Sequence, residues 1–409
     1  MTTGLLITGA CVLAPGEEWP RGWILVEGRR IAAMGRGEPP PGTGAGADVL
    51  AADGLVAMPG FIDLHVHGAV GADVLDADPD GLVRMARFFA THGVTAWLPS
   101  TMTATAQDTE RALKAVRAVA GPVDGGATIL GAHLEGPYLN RARAGAQDPA
   151  LIRTADRSEV AELLDAGLVR LLAVAPEIEQ NRWLVTEAAA RGLTVSAGHT
   201  DATYDQALQA VADGVRHITH TFNAMRPLSH REPGLLGAAL VVPELRCELI
   251  ADNVHVHPAV MRLLVQAKGP DGVVLVSDAT RATGLPEGAY TVGGQPGFHT
   301  NGAVRLADGT LAGSVLTLDR ALHNLQAATG RPLAELWPAT SRNSAQAIGV
   351  GDRKGALEPG KDADLVLLNP ALQVVVTVAE GTVVYARDHG TGALWGPWGE
   401  RAPPTWIRD

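Results

Sequence analysis

The chain has 409 residues, of which 46% are hydrophobic and 4% aromatic, and its formal net charge at pH 7 is −11. This length accommodates an α/β barrel of about 250 residues and an accessory module, with a core built chiefly from Ala, Val and Leu. The acidic balance and the lack of a basic cluster argue against nucleic acid and anionic membranes as partners.

Cysteine usage and hydropathy bear on the compartment. Cys11 and Cys247 are too few for a disulfide framework and favour a reducing environment. The first residues lack the basic and apolar regions of a signal peptide, and no run of 18 apolar residues occurs. We therefore expect a cytoplasmic protein that does not enter a membrane.

Both ends of the chain carry strand patterns. Short apolar runs separated by glycine-containing turns between residues 4 and 34 predict a small β-meander. Similar runs recur at 363–368, 374–378 and 382–385. We expect the two ends, 1–54 and 346–409, to pair as the two parts of one small β-sandwich domain.

The middle of the chain, residues 55–345, alternates short apolar runs with segments of helical spacing. Repeated strand–helix alternation predicts a (β/α)8 TIM-type barrel, in which chemistry takes place at the carboxyl ends of the strands. The eight predicted strands are 55–67, 95–99, 127–135, 169–176, 193–199, 217–222, 248–252 and 273–278.

Metal-ligand residue types end several of these strands. His65 and His67 lie two residues apart on an extended segment, so both imidazoles face one side and can share a cation. Taken alone, the pair could equally be ordinary polar surface. A divalent metal needs three or four N or O ligands, and other strand ends supply further candidates: His133, Glu135, His199, His220 and Asp278.

The other histidines are interpreted as ordinary residues. His92 precedes Gly93 at a helix end, where a cation suits the helix dipole. His133 has an alternative role as a donor that orients a ligand. Five more are interpreted as surface or packing residues: His217, His257, His299, His323 and His389.

These motifs resemble the N-acetylglucosamine-6-phosphate deacetylases of the amidohydrolase superfamily. The similarity extends from the first histidine pair to the string GKDADLV at 360–366. It rests on the strings DLHVHG (63–68), HLEGP (133–137), AGHTDAT (197–203), THTFNAM (219–225), HREPG (230–234), ADNVH (251–255) and SDA (277–279).

The resemblance implies a set of metal ligands. Glu135, His199 and His220 would bind the principal ion, and His65 and His67 a second one, with Glu135 bridging. Asp278 would lie beside the metal as the general acid and base. The implied cofactor is one or two divalent ions per subunit, with zinc expected and iron, cobalt or manganese as alternatives.

The resemblance also implies the reaction and the substrate. Metal-bound hydroxide would hydrolyse the acetamide of N-acetyl-D-glucosamine 6-phosphate to D-glucosamine 6-phosphate and acetate, with Asp278 transferring the proton. Asn223, Ala224 and His255 would bind the phosphate. Arg231 would reach it from the neighbouring subunit, which implies a homodimer.

One departure leaves the substrate open. The family's usual histidine in the loop after the third strand is Gln147 here, which can donate a hydrogen bond but cannot become cationic. One alternative is therefore an amidohydrolase acting on a different N-acylated amino sugar or another amide. A second alternative is a catalytically inactive relative that serves in assembly or binding, although all six metal-ligand positions are retained.

Overall fold

The computed structural model describes residues 4–387. Its centre is a barrel of eight parallel strands, each hydrogen-bonded to the next, which confirms the predicted (β/α)8 fold. In chain order, the barrel strands are Phe61–Val66, Val94–Thr101, Ala132–Glu135, Val169–Val174, Thr194–Ala197, Val215–Ile218, Arg246–Leu249 and Val273–Leu275.

The barrel closes between its eighth and first strands. Val66 forms a parallel bridge with Ala279, and the backbone N–H of Asp278 donates to the carbonyl of His65 at 2.9 Å. The closing seam therefore passes directly beside candidate metal ligands.

Within residues 4–387, ten α-helices surround the barrel or follow it. The first shows why they form: Asp78 caps its N-terminus, proline occupies its first turn, and its apolar face is buried. The helices are Pro79–Thr91, Ala106–Val119, Arg157–Asp165, Arg182–Ala190, Tyr204–Asp213, Gly234–Val241, Pro258–Lys268, Leu318–Thr329, Leu333–Leu336 and Arg342–Ala347. Short 3-10 helices lie at Val74–Asp76, Arg141–Arg143, Glu179–Asn181, Pro270–Gly272 and Trp337–Thr340.

The predicted first strand, 55–67, is divided in the structure. Val56–Pro59 pairs with strands from the chain termini, and the barrel strand begins only at Phe61. The break falls at Gly60, where an added Cβ would lie 2.3 Å from the side chain of Thr95. Only glycine allows this close approach.

The sixth strand also differs from its prediction, 217–222. It runs from Val215 to Ile218, and residues 219–222 form a turn. The backbone φ angles of His220 and Phe222 are 27° and 83°, which an extended strand cannot contain. The polar residues of this motif therefore lie on a turn beyond the strand end.

Strands from both termini form one sheet beside the barrel. Strands of the N-terminal segment and of the C-terminal segment meet where Val56–Pro59 pairs antiparallel with Leu365–Leu368. The sheet order is Thr382–Ala386, Val374–Ala379, Leu365–Leu368, Val56–Pro59, Leu5–Ala14, Glu17–Glu27 and Arg30–Arg36, with Asp48–Ala51 also pairing with Leu5–Ala14. His389 and the rest of the C-terminal part beyond residue 387 lie outside the described residues.

An antiparallel sheet of three strands, which the sequence analysis did not predict, is inserted after the eighth barrel strand. We name it the cap sheet; its strands are Gly288–Val292, Gln295–Thr300 and Ala303–Leu306. Val292 belongs to a buried cluster with Met102 and Ala146. The side chain of Gln295 donates to the carbonyl of Ala146 at 2.9 Å. The cap sheet thus contacts the loops that follow the second and third barrel strands.

Two further strand pairings involve short strands. Gly68–Ala69 pairs with Ala72–Asp73, and Thr128–Ile129 pairs with the second barrel strand. Within residues 4–387, every helix is too short or too polar to cross a membrane.

Substitution of Lys354 by methionine is expected to destabilise the protein by about 3–5 kcal/mol, because it leaves the buried carboxylate of Asp364 without its cation. Lys354 is 1% exposed. Its Nζ lies 2.7 Å from Asp364, 3.0 Å from Glu380 and 3.1 Å from Asp362. Denaturant unfolding measures the change. The exposed Lys114 is the control, since its loss should cost less than about 0.5 kcal/mol; equal effects at both positions would contradict the prediction.

Candidate metal centre and active site

Six of the residues predicted from strand ends converge at one end of the barrel. They form two sets, and within each set one ligand atom of every residue lies within 4.8 Å of the others. All six are buried. The first set is Glu135, His199 and His220, and the second is His65, His67 and Asp278.

Glu135 contacts both sets. Its Oε1 lies 3.3 Å from His199 Nε2 and 3.1 Å from His220 Nε2. It also lies 3.4 Å from His65 Nε2, while Oε2 lies 3.4 Å from His67 Nε2. A single carboxylate therefore joins the four imidazoles.

Hydrogen bonds on the far side of the rings fix the tautomers of three histidines. In each ring Nδ1 faces an acceptor, so in the neutral ring Nδ1 carries the hydrogen and Nε2 presents the lone pair. The three Nδ1 contacts are His65 to Glu248 Oε2 at 3.0 Å, His67 to the Ser100 carbonyl at 3.2 Å, and His199 to the Arg143 carbonyl at 2.9 Å.

The resulting arrangement of acceptors suits cations. The Nε2 atoms of His65 and His67 are 3.1 Å apart, as are those of His199 and His220. Two imidazoles that share a tetrahedral ion at about 2.1 Å have their nitrogens about 3.4 Å apart. Lone pairs this close, with a carboxylate beside them, repel one another unless a positive charge lies between them. The donors present thus fit divalent ions that accept imidazole and carboxylate ligands.

The pKa values of the histidines in the second set also indicate that the pocket favours positive charge. Burial alone lowers the pKa of His65 and His67, but the neighbouring carboxylates outweigh it. Glu135 and Asp278 raise the pKa of His65 well above its usual value and that of His67 to about 9. Conversely, burial raises the pKa of Glu135, but the imidazoles outweigh burial and hold it well below its usual value. This pocket binds positive charge strongly.

Three of the candidate ligands have an unusual backbone conformation. The φ angles of His199, His220 and Asp278 are 47°, 27° and 50°. Residues with a side chain seldom adopt this left-handed region, at a cost of about 1–3 kcal/mol. Such strain concentrates at functional sites. Here it turns the chain at the strand ends where the ligands stand.

The cavity beside the two sets contains most of the remaining predicted residues. Gln147, Asn223, Ala224 and His255 line it, together with His67, Glu135, His199, His220 and Asp278. Met102, Val292 and Leu311 add apolar surface. Arg231 is absent from this lining, within residues 4–387, and is exposed on its own subunit.

Gln147 is bonded to the metal-ligand carboxylate. It is 3% exposed. Its Nε2 donates to Glu135 Oε2 at 2.6 Å, and its Oε1 accepts from the backbone N–H of Thr103 at 2.6 Å. At the wall of the cavity, its amide therefore positions Glu135.

His255 and Asn223 are held in place by local contacts. Asp252 Oδ2 lies 2.6 Å from His255 Nδ1, and Asp252 Oδ1 accepts the backbone N–H groups of Val254 and His255. Asn223 Nδ2 donates to the carbonyl of His220 at 3.3 Å. These side chains are oriented before any ligand arrives.

Sequence reasoning gave no role to Glu248. This fully buried residue lies in the seventh barrel strand, where its carboxylate contacts His65 Nδ1, His217 Nε2 and the backbone N–H of His220. Burial raises the pKa of Glu248, but the two histidines outweigh burial and lower it well below its usual value. The available signal was a glutamate inside the apolar run Cys-Glu-Leu-Ile-Ala, since charged residues are rarely buried in a strand without a partner.

His133 and His217, two of the remaining histidines, are fully buried. His217 contacts Glu248, and His133 Nδ1 lies 2.9 Å from Ser100 Oγ. Burial, followed by the nearby His65, lowers the pKa of His133 to about 3, so it is neutral. It packs edge to face against the ring of His65, with ring centroids 4.6 Å apart, and Ser100, its hydrogen-bond partner, contacts His67 through its carbonyl.

A parallel (β/α)8 barrel with buried imidazole and carboxylate sets at its strand ends defines a metal-dependent hydrolase of the amidohydrolase class. The family model described as "Amidohydrolase family" matches residues 56–384. A Bacillus subtilis protein named N-acetylglucosamine-6-phosphate deacetylase is 34% identical over 94% of this chain and 98% of its own length. An Escherichia coli O157:H7 protein named N-acetylgalactosamine-6-phosphate deacetylase is 38% identical over 79% of this chain and 86% of its own.

A solved structure supports the same family assignment. The N-acetyl-D-glucosamine-6-phosphate deacetylase from Mycobacterium smegmatis, solved in complex with N-acetyl-D-glucosamine-6-phosphate, superposes with a TM-score of 0.88 at 34% identity. The match covers 93% of this chain and 99% of that one. The chain therefore belongs to the amidohydrolase family and, within it, to the N-acetylglucosamine-6-phosphate deacetylases. It is a hydrolase of an amide C–N bond.

Zinc is expected to bind the metal-free protein more weakly at about pH 6 than at about pH 8. The pKa of His67 is raised to about 9, so in the metal-free protein its ring is protonated at both pH values and a cation must displace that proton. Each displaced proton weakens the apparent affinity about tenfold for each pH unit below that pKa. Calorimetric titration in buffers of different ionisation enthalpy counts the protons released. An affinity independent of pH would contradict this assignment.

Gln147→Ala is expected to weaken metal binding about 10- to 100-fold, because Glu135 loses a donor that orients it. Equilibrium titration with zinc measures the change. Gln295→Ala is the matched control, since that side chain donates to the carbonyl of Ala146 and touches no ligand. Equal losses in both variants would mean that the effect comes from the loop and not from the bond to Glu135.

Proposed function

We propose that this chain hydrolyses the acetamide of N-acetyl-D-glucosamine 6-phosphate to D-glucosamine 6-phosphate and acetate. The observation that supports it most is the pair of buried ligand sets joined by Glu135, with Asp278 beside them at the cavity. The near full-length similarity to deacetylases of this name supports the substrate.

The metal content is part of the proposal. Glu135, His199 and His220 would hold one divalent ion, and His65 and His67 a second, with Glu135 shared and Asp278 adjoining. We propose zinc, with iron, cobalt or manganese as alternatives for the same donors. When bound, such an ion lowers the pKa of a coordinated water toward about 7 and polarises the substrate carbonyl.

Asp278 would move the proton. Burial raises its pKa, but His65 and His67 outweigh burial and lower it, so the carboxylate is ionised and ready to accept. Its Oδ1 lies 3.2 Å from His67 Nε2, at the wall of the cavity. Asp278 takes a proton from the attacking water and delivers it to the departing amine nitrogen. The products are the free amino sugar phosphate and acetate.

Substrate phosphate would bind at Asn223, Ala224 and His255, which line the cavity. Arg231 would complete this site from the partner subunit of a homodimer. Its position supports this arrangement, because Arg231 lies on an exposed segment with His230 and the large apolar Leu228, which is 49% exposed. An arginine fork pairs well with phosphate oxygens.

The alternatives are less well supported. A different acyl group or amide was suggested by Gln147, but that side chain is occupied by Glu135 and Thr103. An inactive relative would have no need of six converging buried ligands. We also propose a cytoplasmic location, on the basis of the free thiols Cys11 and Cys247.

Acetate release should depend on the phosphate. The value of kcat/KM is expected to be at least about 100-fold lower on N-acetylglucosamine than on its 6-phosphate, because each lost hydrogen bond to a charged group costs about 1.5–3 kcal/mol. The 6-phosphate of N-acetylgalactosamine serves as the comparison, since it keeps the phosphate and inverts one hydroxyl. Equal rates with and without phosphate in protein of known metal content would refute the proposed substrate.

A shared site predicts complementation between two defective variants when activity is measured at low substrate concentration. Arg231→Ala should raise KM, and Asp278→Asn should abolish turnover. In a mixed dimer, the cavity with an intact Asp278 receives the intact Arg231 of the other chain. A random mixture therefore recovers about a quarter of wild-type activity, because half of the dimers are mixed and each has one complete site. No recovery after subunit exchange would mean that Arg231 does not act across an interface.

A further inference from the structure

Glu248 lies on the barrel strand Arg246–Leu249 and is fully buried beneath the two ligand sets. Both of its carboxylate oxygens are used. Oε2 lies 3.0 Å from His65 Nδ1 and accepts the backbone N–H of His220 at 2.9 Å. Oε1 lies 3.1 Å from His217 Nε2.

Glu248 contacts the two ligand sets in different ways. Glu248 touches His220, of the first set, only through its backbone. It touches His65, of the second set, through the imidazole itself. The orientation of the His65 ring therefore depends directly on Glu248, whereas the His220 ring is affected only through its backbone.

The support given to His65 also differs in kind from that of its neighbours. The Nδ1 atoms of His67 and His199 face backbone carbonyls, whereas that of His65 faces an ionised carboxylate. A carboxylate partner orients a ligating imidazole and makes it a stronger electron donor than a carbonyl does. Among the described residues, Glu248 is the carboxylate that supports a ligand in this way.

The balance of charge in the site also links Glu248 to the second cation. Glu135 and Asp278 together neutralise one divalent cation. A second cation leaves two excess positive charges among buried side chains, where uncompensated charge is costly. Glu248 halves that excess without occupying a ligand position. The second cation therefore needs Glu248 more than the first does.

We propose that Glu248 is a positioning residue that gives the set of His65, His67 and Asp278 its affinity for a cation, and so decides whether the protein holds one cation or two. The inference rests on the proposed function in one respect, that both ligand sets bind divalent cations. It does not depend on the identity of the substrate.

The test is a titration of metal-free protein with Zn²⁺ by calorimetry, with bound zinc counted by elemental analysis after dialysis. Wild type should bind two ions. Glu248→Gln keeps the shape and the acceptor for His65 but removes the charge, so the weaker site should lose about 10-fold in affinity. Glu248→Ala also removes the acceptor and should hold one ion, bound as tightly as the first ion of wild type.

Asp63→Asn is the matched control. Asp63 is also a fully buried carboxylate beside the second set, but its Oδ1 accepts only the backbone N–H groups of His65 and Ser277. This variant should therefore still bind two ions. If it loses one ion as Glu248→Ala does, buried negative charge in general is responsible and the inference fails.

The remaining outcomes are also decisive. The inference is overturned if Glu248→Gln binds the second zinc ion as tightly as wild type does, or if it loses affinity equally at both sites. Because Glu248→Gln keeps the shape of the side chain, this comparison can be made even if Glu248→Ala does not fold. A wild type that binds a single ion overturns it too. If wild type binds two ions, the Glu248 variants behave as expected and the sugar phosphate is not hydrolysed, the proposed substrate fails and the role of Glu248 stands.

Discussion

The carboxylate of Glu135 is the interaction on which the rest of the site depends. It stands between four imidazoles whose lone pairs converge on it, so the folded barrel assembles acceptors that need positive charge between them. A hydrophobic core tolerates such an arrangement only when each polar group has a partner. Gln147 supplies one partner from the cavity side, and divalent cations would supply the others.

The barrel meets this requirement through its strand ends. Parallel strands bring residues that are distant in sequence to one rim, and left-handed backbone at His199, His220 and Asp278 makes the turn there. The supporting groups come from the layer beneath: the carbonyls of Ser100 and Arg143, and the carboxylate of Glu248. Precision in the ligands thus comes from groups that never touch the substrate.

The sequence predicted the barrel and the six converging residues, because alternating apolar runs locate strands and the ligands directly follow them. It did not predict Glu248, whose role depends on the seventh strand facing His65 of the first strand inside the closed barrel. It missed the cap sheet, whose strands alternate weakly and pack on loops. The bond from Gln147 to Glu135 likewise arises from a loop conformation that local patterns do not determine. Periodicity predicted the strands and the polar residues at their ends, the family resemblance selected the six ligands among them, and what was missed depended on tertiary contacts.

The residues that close the barrel are also candidate metal ligands. The backbone bond from Asp278 to His65 joins the last strand to the first, and the side chains of the same two residues belong to one ligand set. A cation held by His65 and Asp278 would link the first and last strands across the seam. Chains that close in another register never form this set, so occupancy by the ion reports correct closure.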